Sequence, residues 1–235
     1  MARLRNPFDP ASLAGSARSV AVIGLGRFGT SLAVELMAYG TEVLGIDGEE
    51  RAQELNGQLT HVVAGDATRP ELLEQLGIGD FDRVVVAIGS DVTASILVTS
   101  QLLRLGVRDI WAKAVSEQHA TILDQLGVQH VVRPEADMGR RVAHMVQGSL
   151  EDYIEIETGY AAMKIPAPLD LLAVPLRELG IHRYGVSIVA IKRGGDWIQA
   201  NQETRFERGD IVLVAGPTTK LEAFAARKAA KQPEA

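Results

Sequence analysis

The sequence predicts an α/β fold in which a doubly wound parallel sheet is followed by a smaller α+β domain. Six short apolar segments before residue 148 are each followed by a segment with helical spacing, as in a parallel sheet with helices on both faces. From about residue 151 strand-like alternation takes over and is interrupted by prolines. The 235 residues, 46% of them apolar, are enough to form the cores of two modest domains.

The elements of the first domain follow in chain order. Strands are predicted at 20–23, 43–47, 61–64, 83–88, 109–113 and 130–132. Helices are predicted directly after the first strand, at 49–56 and 70–76, behind the N-caps Ser90 and Ser116, and at 134–148. The last helix carries an apolar stripe formed by Met138, Val142, Met145 and Val146. One small domain cannot cover every such stripe, so we expect part of it to be buried between protomers.

The second domain is predicted from strands at 153–157, 161–165, 186–191 and 211–214, with short helices between them. Breaks in this pattern fall at Pro166, Pro168 and Pro175. The predicted organisation is a flexible N-terminal tail at 1–18, the α/β domain at 19–148, the second domain at 151–217, and a C-terminal helix and tail at 218–235. Because this tail is rich in Ala and Lys, we expect it to be partly disordered.

The first strand leads into the most informative motif of the chain, Gly24-Leu-Gly26-Arg-Phe-Gly29. In a Rossmann-like strand–turn–helix, the first glycine permits the tight turn, the second lets phosphate approach, and the third lets the helix pack closely. The phosphates would rest on the N-terminus of that helix. Asp47, 18 residues after Gly29, is placed to accept the ribose hydroxyls. We therefore predict an adenosine-nucleotide site; the alternative is a glycine-rich turn without a ligand.

Composition argues against several other classes of protein. The net charge of −6 and the pI near 5.4 do not suit a nucleic-acid partner. The absence of cysteine excludes disulfides, thiolate catalysis and Cys-ligated zinc. No 18 apolar residues run together, so we expect no direct membrane insertion. The histidines lack metal-binding spacing and are interpreted as surface or packing residues: His61, His119, His130, His144 and His182.

Five motifs in order give a more specific indication. They are Gly-Leu-Gly26-Arg27-Phe28-Gly29, Gly65-Asp66-Ala67-Thr68, Ala87-Ile-Gly-Ser90-Asp91, Ala112-Lys113-Ala114 and Arg133-Pro134-Glu135. Together they resemble the RCK family, the regulators of potassium conductance, and most of all its Ktr/Trk-type cytosolic subunits. The resemblance is strong over residues 19–148. It is weaker over 151–217, where it rests on Leu176-Arg-Glu-Leu-Gly180 and Arg208-Gly209-Asp210.

The resemblance implies a function and an assembly. The second domain would be the smaller C-terminal RCK subdomain, and the chain would be a nucleotide-sensing regulator rather than an enzyme. The implied partner is a membrane potassium translocator, on which a dimer-built octameric ring docks from the cytoplasm, peripheral at the inner face of the cell membrane. In some relatives the C-terminal subdomain binds cyclic di-AMP. The residues expected for that ligand are not clearly matched here, so that site stays open.

The candidate nucleotide contacts lie within these motifs. Arg27 would bring a cation to the phosphates, which favours ATP or ADP alongside NAD(H); the alternative is a solvated arginine at a helix start. Asp66 would lie at the adenine edge by resemblance, or else be a turn or capping acid. Lys113 is a phosphate or interface contact, or only the charged end of a strand. The remaining residues assigned to the nucleotide are Phe28, Ala67 and Ser90.

Glu135 is the candidate metal ligand. By resemblance it lies near a neighbouring subunit's nucleotide and helps to hold Mg²⁺ or another cation bound with ATP. Magnesium needs few protein ligands when phosphates supply the rest. The alternative is a carboxylate that only stabilises the helix start behind Pro134.

Two other function classes remain to be separated from a regulator. An NAD-dependent oxidoreductase needs an acid–base group near the nicotinamide, and the residues after 150 leave little room for a substrate cavity. A redox-sensing transcription regulator needs a basic recognition helix, which the proline-containing first 18 residues do not supply. We expect a regulator, with the oxidoreductase as the alternative.

Overall fold

The structure is a computed structural model, and it describes residues 19–147 and 150–226. The predicted tail at 1–18, residue 148 and the chain after residue 226 lie outside the described residues. The chain divides between residues 134 and 135 into two compact units, which we call the first unit and the second unit.

The first unit is built on a six-stranded parallel sheet with the strand order β3-β2-β1-β4-β5-β6. Its strands are β1 (Ser19–Ile23), β2 (Glu42–Asp47), β3 (His61–Ala64), β4 (Arg83–Val86), β5 (Ile110–Lys113) and β6 (His130–Val132). Its helices are α1 (Arg27–Ala38), α2 (Glu49–Leu55), α3 (Pro70–Gln75), α4 (Val92–Arg104) and α5 (Glu117–Leu126), and a 3₁₀ turn covers Ile78–Asp80. This alternation confirms the predicted doubly wound sheet.

Apolar cores cover both faces of this sheet, because successive side chains of a strand point to opposite sides. In β1, Ala21 and Ile23 belong to one core while Val20 and Val22 belong to the other. All four are at most 2% exposed. A strand buried on both faces must be apolar throughout, which is why this part of the sequence shows continuous apolar runs.

The N-caps of α4 and α5 confirm one prediction and contradict another. Ser116 caps α5 as predicted, and its hydroxyl accepts a hydrogen bond from the His119 N–H at 3.1 Å. The prediction of Ser90 as the cap of α4 is wrong. Asp91 takes that position, and its carboxylate accepts from the Ala94 N–H at 2.9 Å. A carboxylate also interacts favourably with the positive end of the helix dipole, which a hydroxyl does only weakly.

The second unit is built on a five-stranded antiparallel sheet with the order β10-β9-β11-β8-β7. Its strands are β7 (Asp152–Glu157), β8 (Tyr160–Pro166), β9 (Ser187–Arg193), β10 (Asp196–Gln199) and β11 (Ile211–Pro217). Its helices are α6 (Pro134–Gln147), α7 (Leu176–Leu179) and α8 (Thr218–Ala225). Strand β10 has no counterpart among the predicted strands, because all four of its residues are exposed at the sheet edge and show no apolar alternation.

The core of the second unit lies on one face of its sheet. Strands β8 and β11 alternate between buried and more exposed residues, the pattern of an antiparallel sheet with one covered face. Leu221 and Phe224 of α8 are 0% and 2% exposed and belong to this core.

Helix α6 packs on the second unit, although the sequence analysis assigned it to the first domain. Arg141 binds Asp152 at 2.7 Å, and the ring of His144 stacks on Tyr153 with centroids 4.0 Å apart. Met145 packs against the same core. These contacts explain why the helix after Pro134 belongs to the second unit. The rest of its apolar stripe is exposed in the single chain, by 52% at Met138, 45% at Val142 and 81% at Val146.

Candidate nucleotide-binding site

The three glycines of the turn between β1 and α1 have different structural roles. Gly24 has a φ of +96°, and a Cβ there would lie 2.9 Å from the Ile88 nitrogen. A Cβ on Gly29 would lie 1.9 Å from the Gly24 carbonyl oxygen. A Cβ on Gly26 would meet nothing within 4 Å. The first and third glycines are therefore required by packing, whereas the second leaves open space at the start of α1.

The N-terminus of α1 faces this space without a capping side chain. Gly26 is the N-cap, and the first turn contains no acidic residue. The positive end of the helix dipole is therefore not compensated locally. Arg27 is exposed, and its guanidinium has no hydrogen-bond or ion-pair partner among the residues that the structure describes. Dipole and guanidinium together favour an anion at this position.

Asp47 joins the end of β2 to the glycine turn. One carboxylate oxygen accepts a hydrogen bond from the Leu25 N–H, and the other accepts from the Gly48 N–H at 2.6 Å. Thr30 fixes the same turn, because its hydroxyl donates to the Leu25 carbonyl at 2.7 Å. A carboxylate has about four lone-pair positions, so the two oxygens keep capacity for ribose hydroxyls. The two backbone N–H groups hold the carboxylate in place beside the glycine turn.

Asp66 forms a local turn at the end of β3. Its carboxylate accepts from the Thr68 hydroxyl at 2.6 Å and from the Thr68 N–H at 2.9 Å. These hydrogen bonds, with Arg69 nearby, hold the pKa of Asp66 below its ordinary value. The interpretation as a turn acid is therefore sufficient to explain this residue. Its neighbour Ala67 is buried.

Lys113 lies at the end of β5 and is only 8% exposed. Its Nζ is 5.6 Å from the centroid of the Phe28 ring in the glycine turn and 3.1 Å from the position of a Cβ on Gly89. Three loops therefore meet here: the glycine turn, the β4–α4 loop and the β5–α5 loop. The sequence analysis assigned no role to Gly89, although it lies in one of the five motifs, or to Thr30, because their importance follows only from these contacts.

The predicted nucleotide residues share one edge of the sheet. They follow the carboxyl ends of β1, β2, β3, β4 and β5, on both sides of β1, where the strand order reverses. This is where open α/β sheets bind ligands. The set consists of Gly24, Gly26, Arg27, Phe28, Gly29, Asp47, Asp66, Ala67, Ser90 and Lys113. Glu135, the predicted metal ligand, is exposed and belongs to the second unit.

The second unit contains a shallow cleft of about 290 Å³. Its apolar side chains are Leu176, Ile181, Ile188 and Ala200, and polar groups at its rim include Arg177 and Asn201. Arg177 already pairs with Glu203 and Glu178.

The second unit also contains one Tyr-x-x-x-Lys spacing, from Tyr160 to Lys164. Both residues lie on β8, where four residues span roughly 13 Å, and Lys164 binds Asp152 at 3.0 Å. The strand therefore keeps the two side chains apart, and they do not form a joint acid–base group of the kind that the oxidoreductase alternative needs.

Within residues 19–147 and 150–226, no group of three or more His, Asp or Glu side chains is arranged to hold a metal ion. No helix in the same ranges has the length and apolar character needed to cross a membrane.

Two family models match the chain: the TrkA-N domain over residues 20–134 and the TrkA-C domain over residues 160–229. Among curated relatives, the Ktr system potassium uptake protein C of Bacillus subtilis is 39% identical over 89% of this chain and 97% of its own length. The Ktr system potassium uptake protein A of Vibrio alginolyticus is 36% identical over 87% of this chain and 94% of its own length.

Solved structures show the same fold. The GsuK RCK domain superposes with a TM-score of 0.63 at 19% identity, over 94% of this chain and 49% of that one. The GsuK channel bound to NAD gives a TM-score of 0.65 at 16% identity, over 93% of this chain and 41% of that one. This chain thus spans less than half the length of these structural neighbours.

Proposed function

Because this chain belongs to the RCK family, as a Ktr/Trk-type protein with TrkA-N and TrkA-C domains, we propose that it is a nucleotide-sensing regulatory subunit of a potassium-uptake system. It gates a membrane potassium translocator in response to ATP and ADP, or to NAD(H). The observation that carries this proposal is the coupling of Asp47 to the glycine turn. One rigid unit thereby offers a ribose acceptor and an anion site together.

The choice of nucleotide follows from charge. NAD carries about two negative charges on its pyrophosphate, whereas ATP carries closer to four at neutral pH, so a free guanidinium at Arg27 favours ATP and ADP. NAD(H) uses the same ribose and pyrophosphate positions. The GsuK channel of similar fold is described with NAD bound, which supports keeping NAD(H) as a candidate ligand.

A cation completes the proposed ATP state. We assign Mg²⁺ or another cation to Glu135 together with the ATP phosphates of an adjoining protomer, since phosphates supply most of the ligands that Mg²⁺ needs. In this assignment, Glu135→Gln removes the cation dependence of ATP binding measured by calorimetry with and without Mg²⁺. If ATP binding by Glu135→Gln still depends on Mg²⁺, Glu135 is not a ligand of the cation.

Assembly is part of the proposal. The exposed residues of α6, Met138, Val142 and Val146, form an apolar stripe of the kind that oligomers bury. We propose a dimer-built octameric ring, cytoplasmic and peripheral at the inner face of the membrane, docked on the translocator. Nucleotide exchange shifts the ring between states for which the nucleotides have different affinities.

The experiment combines three measurements on the purified protein. Calorimetry is expected to show binding of ATP, ADP and NAD, and light scattering a mass far above that of the 25.3 kDa chain. Incubation with NADH and carbonyl substrates is expected to show no turnover, since the chain would not be an enzyme. A monomer at micromolar concentration contradicts the assembly. Sustained hydride transfer would contradict the regulatory function and support the alternative, an NAD-dependent oxidoreductase.

A further inference from the structure

We propose that His119 positions the loop behind Lys113 and thereby makes nucleotide binding by the first unit sensitive to pH. The inference rests on the proposed nucleotide site. It concerns residues 114–116, which connect the end of β5 to the start of α5.

His119 holds this loop by two hydrogen bonds. The Val115 N–H donates to His119 Nδ1 at 3.4 Å, and the His119 N–H donates to the Ser116 hydroxyl at 3.1 Å. The Ala114 N–H donates to the Val132 carbonyl of β6 at 2.9 Å. These hydrogen bonds hold all three residues of the loop. Of the groups that form them, only the imidazole of His119 is titratable.

The hydrogen bonds define the protonation state of the ring. Since Nδ1 accepts, the proton of the neutral imidazole is on Nε2. His119 is 1% exposed, and its Nε2 has no partner among the residues that the structure describes. Burial lowers the pKa of His119 below its ordinary value of 6.5. A second proton would remove the acceptor of the Val115 N–H and leave a buried, uncompensated charge.

Charged neighbours do not offset this burial. Helix α5 packs against α4 and β6, and the ionisable groups of these elements and of the adjoining strand end are Glu117, Asp124, Arg104, His130 and Lys113. All except Lys113 are exposed. Burial lowers the pKa of His119, and these exposed charges do not raise it again.

The consequence for the site follows from the position of Lys113. Its Nζ lies beside Phe28 and Gly89, and the next residues are those that His119 fixes. Releasing the Val115 N–H loosens the loop directly behind this cation. Because the neutral imidazole is favoured in the folded state, its contribution is present above pH 6.5 and is lost as the pH falls through the lowered folded-state pKa. Nucleotide affinity should therefore fall on acidification.

The test measures NAD binding by calorimetry at about pH 7.5 and at the lowest pH at which circular dichroism shows that the protein is still folded. NAD is the probe because its pyrophosphate does not titrate in this range, unlike the terminal phosphates of ADP and ATP, whose pKa is near 6. The variants are His119→Asn, whose Oδ1 can replace Nδ1 as acceptor without titrating, and His119→Leu, which has no acceptor. The matched control is His61→Gln, which removes an exposed histidine of the same unit.

The wild type is expected to bind NAD roughly threefold to tenfold more weakly at the lower pH, the effect of one neutral hydrogen bond. The control His61→Gln should show the same pH dependence as wild type. His119→Asn should bind within about twofold of wild type at the higher pH and show no pH dependence. His119→Leu should be weakened by roughly the same threefold to tenfold at both pH values.

A pH-independent wild type, or His119→Asn with the full wild-type pH dependence, overturns the role of His119 while leaving the nucleotide site intact. If wild type binds no NAD at the higher pH, the proposed nucleotide site fails as well. Should His119→Leu not fold, the comparison of His119→Asn with wild type decides alone.

Discussion

The two units hold their key acidic residues in different ways. In the first unit, the carboxylate of Asp47 accepts hydrogen bonds from the backbone N–H groups of Leu25 and Gly48. In the second unit, Asp152 and Asp210 are bound by cationic side chains. When a carboxylate is paired with a cationic side chain, its charge is compensated within the fold. A carboxylate that accepts hydrogen bonds only from uncharged N–H groups can still interact with a ligand.

The sheets explain this difference. A parallel sheet brings the carboxyl ends of all its strands to one edge, so short loops with polar residues gather there. The antiparallel sheet of the second unit alternates strand directions, and its strongest polar contacts tie neighbouring elements together: Arg141 to Asp152, Lys164 to Asp152, and Arg193 to Asp210. We infer a ligand site in the first unit and structural ion pairs in the second.

The largest effect is expected from the glycine turn. In Gly29→Ala the new Cβ would overlap the Gly24 carbonyl, so we expect a loss of about 3 kcal/mol or more in the free energy of unfolding and loss of nucleotide binding. Gly26→Ala is the control, since a Cβ there meets nothing within 4 Å. It should keep its stability and bind nucleotide more weakly. Denaturant unfolding and calorimetry measure both, and a Gly29→Ala protein as stable as wild type contradicts the packing argument.

The next effect tests the second unit. Asp210 is 1% exposed and receives two hydrogen bonds from the Arg193 guanidinium, at 2.9 and 2.8 Å. Asp210→Ala should lower the free energy of unfolding by about 2–3 kcal/mol, less than for a fully buried pair because Arg193 reaches solvent. Nucleotide affinity of the folded protein should not change. A loss of ATP or NAD binding without a loss of stability would show that Asp210 takes part in a ligand site. The proposed difference between the two units would then be wrong.

The same carboxylate predicts a pH dependence. Burial acts to raise the pKa of Asp210, but hydrogen bonds from Arg193 and from the Glu207 N–H outweigh it and keep the pKa below 3.8. Its contribution to stability is thus present above pH 3.8 and is lost as the pH falls through the lower folded-state pKa. Acid unfolding of Asp210→Ala should accordingly depend less on pH in this range than that of wild type.

A smaller effect is expected at Asp47. Asp47→Ala should weaken ATP, ADP and NAD together by about 1.5–3 kcal/mol, the range for a hydrogen bond to a charged group. NADP should bind the wild type worse than NAD, because the carboxylate repels a 2′-phosphate. Glu42→Ala, at the exposed start of the same strand, is the matched control. Unchanged ADP affinity in folded Asp47→Ala would remove the ribose assignment.

The smallest effect separates ATP from ADP. Arg27→Ala should weaken the binding of ATP by about 1 kcal/mol more than that of ADP, because the guanidinium interacts most strongly with the additional phosphate charge of ATP. Arg51→Ala, an exposed arginine paired with Glu54 on α2, serves as the control. Equal losses for both nucleotides would make Arg27 a general phosphate contact.

Much of the first unit could be predicted because its information is local. Strands buried on both faces produce apolar runs, and the glycine spacing encodes a turn that only small residues can form. The burial of Lys113 and the role of His119 depend on which loops meet in space, and no local pattern reports that. The same holds for α6, whose stripe was visible in the sequence but whose packing partner, the core around Tyr153, was not.

The central claim is that nucleotide bound to the first unit controls potassium movement through a partner. The direct test is potassium flux in vesicles that contain a Ktr-type translocator, with wild-type protein or Asp47→Ala added and with ATP, ADP or NAD varied. Flux should depend on both protein and nucleotide with wild type, and Asp47→Ala should require roughly tenfold or more higher nucleotide concentration, matching its loss of binding energy. Flux that is indifferent to the protein and to every nucleotide would contradict the claim.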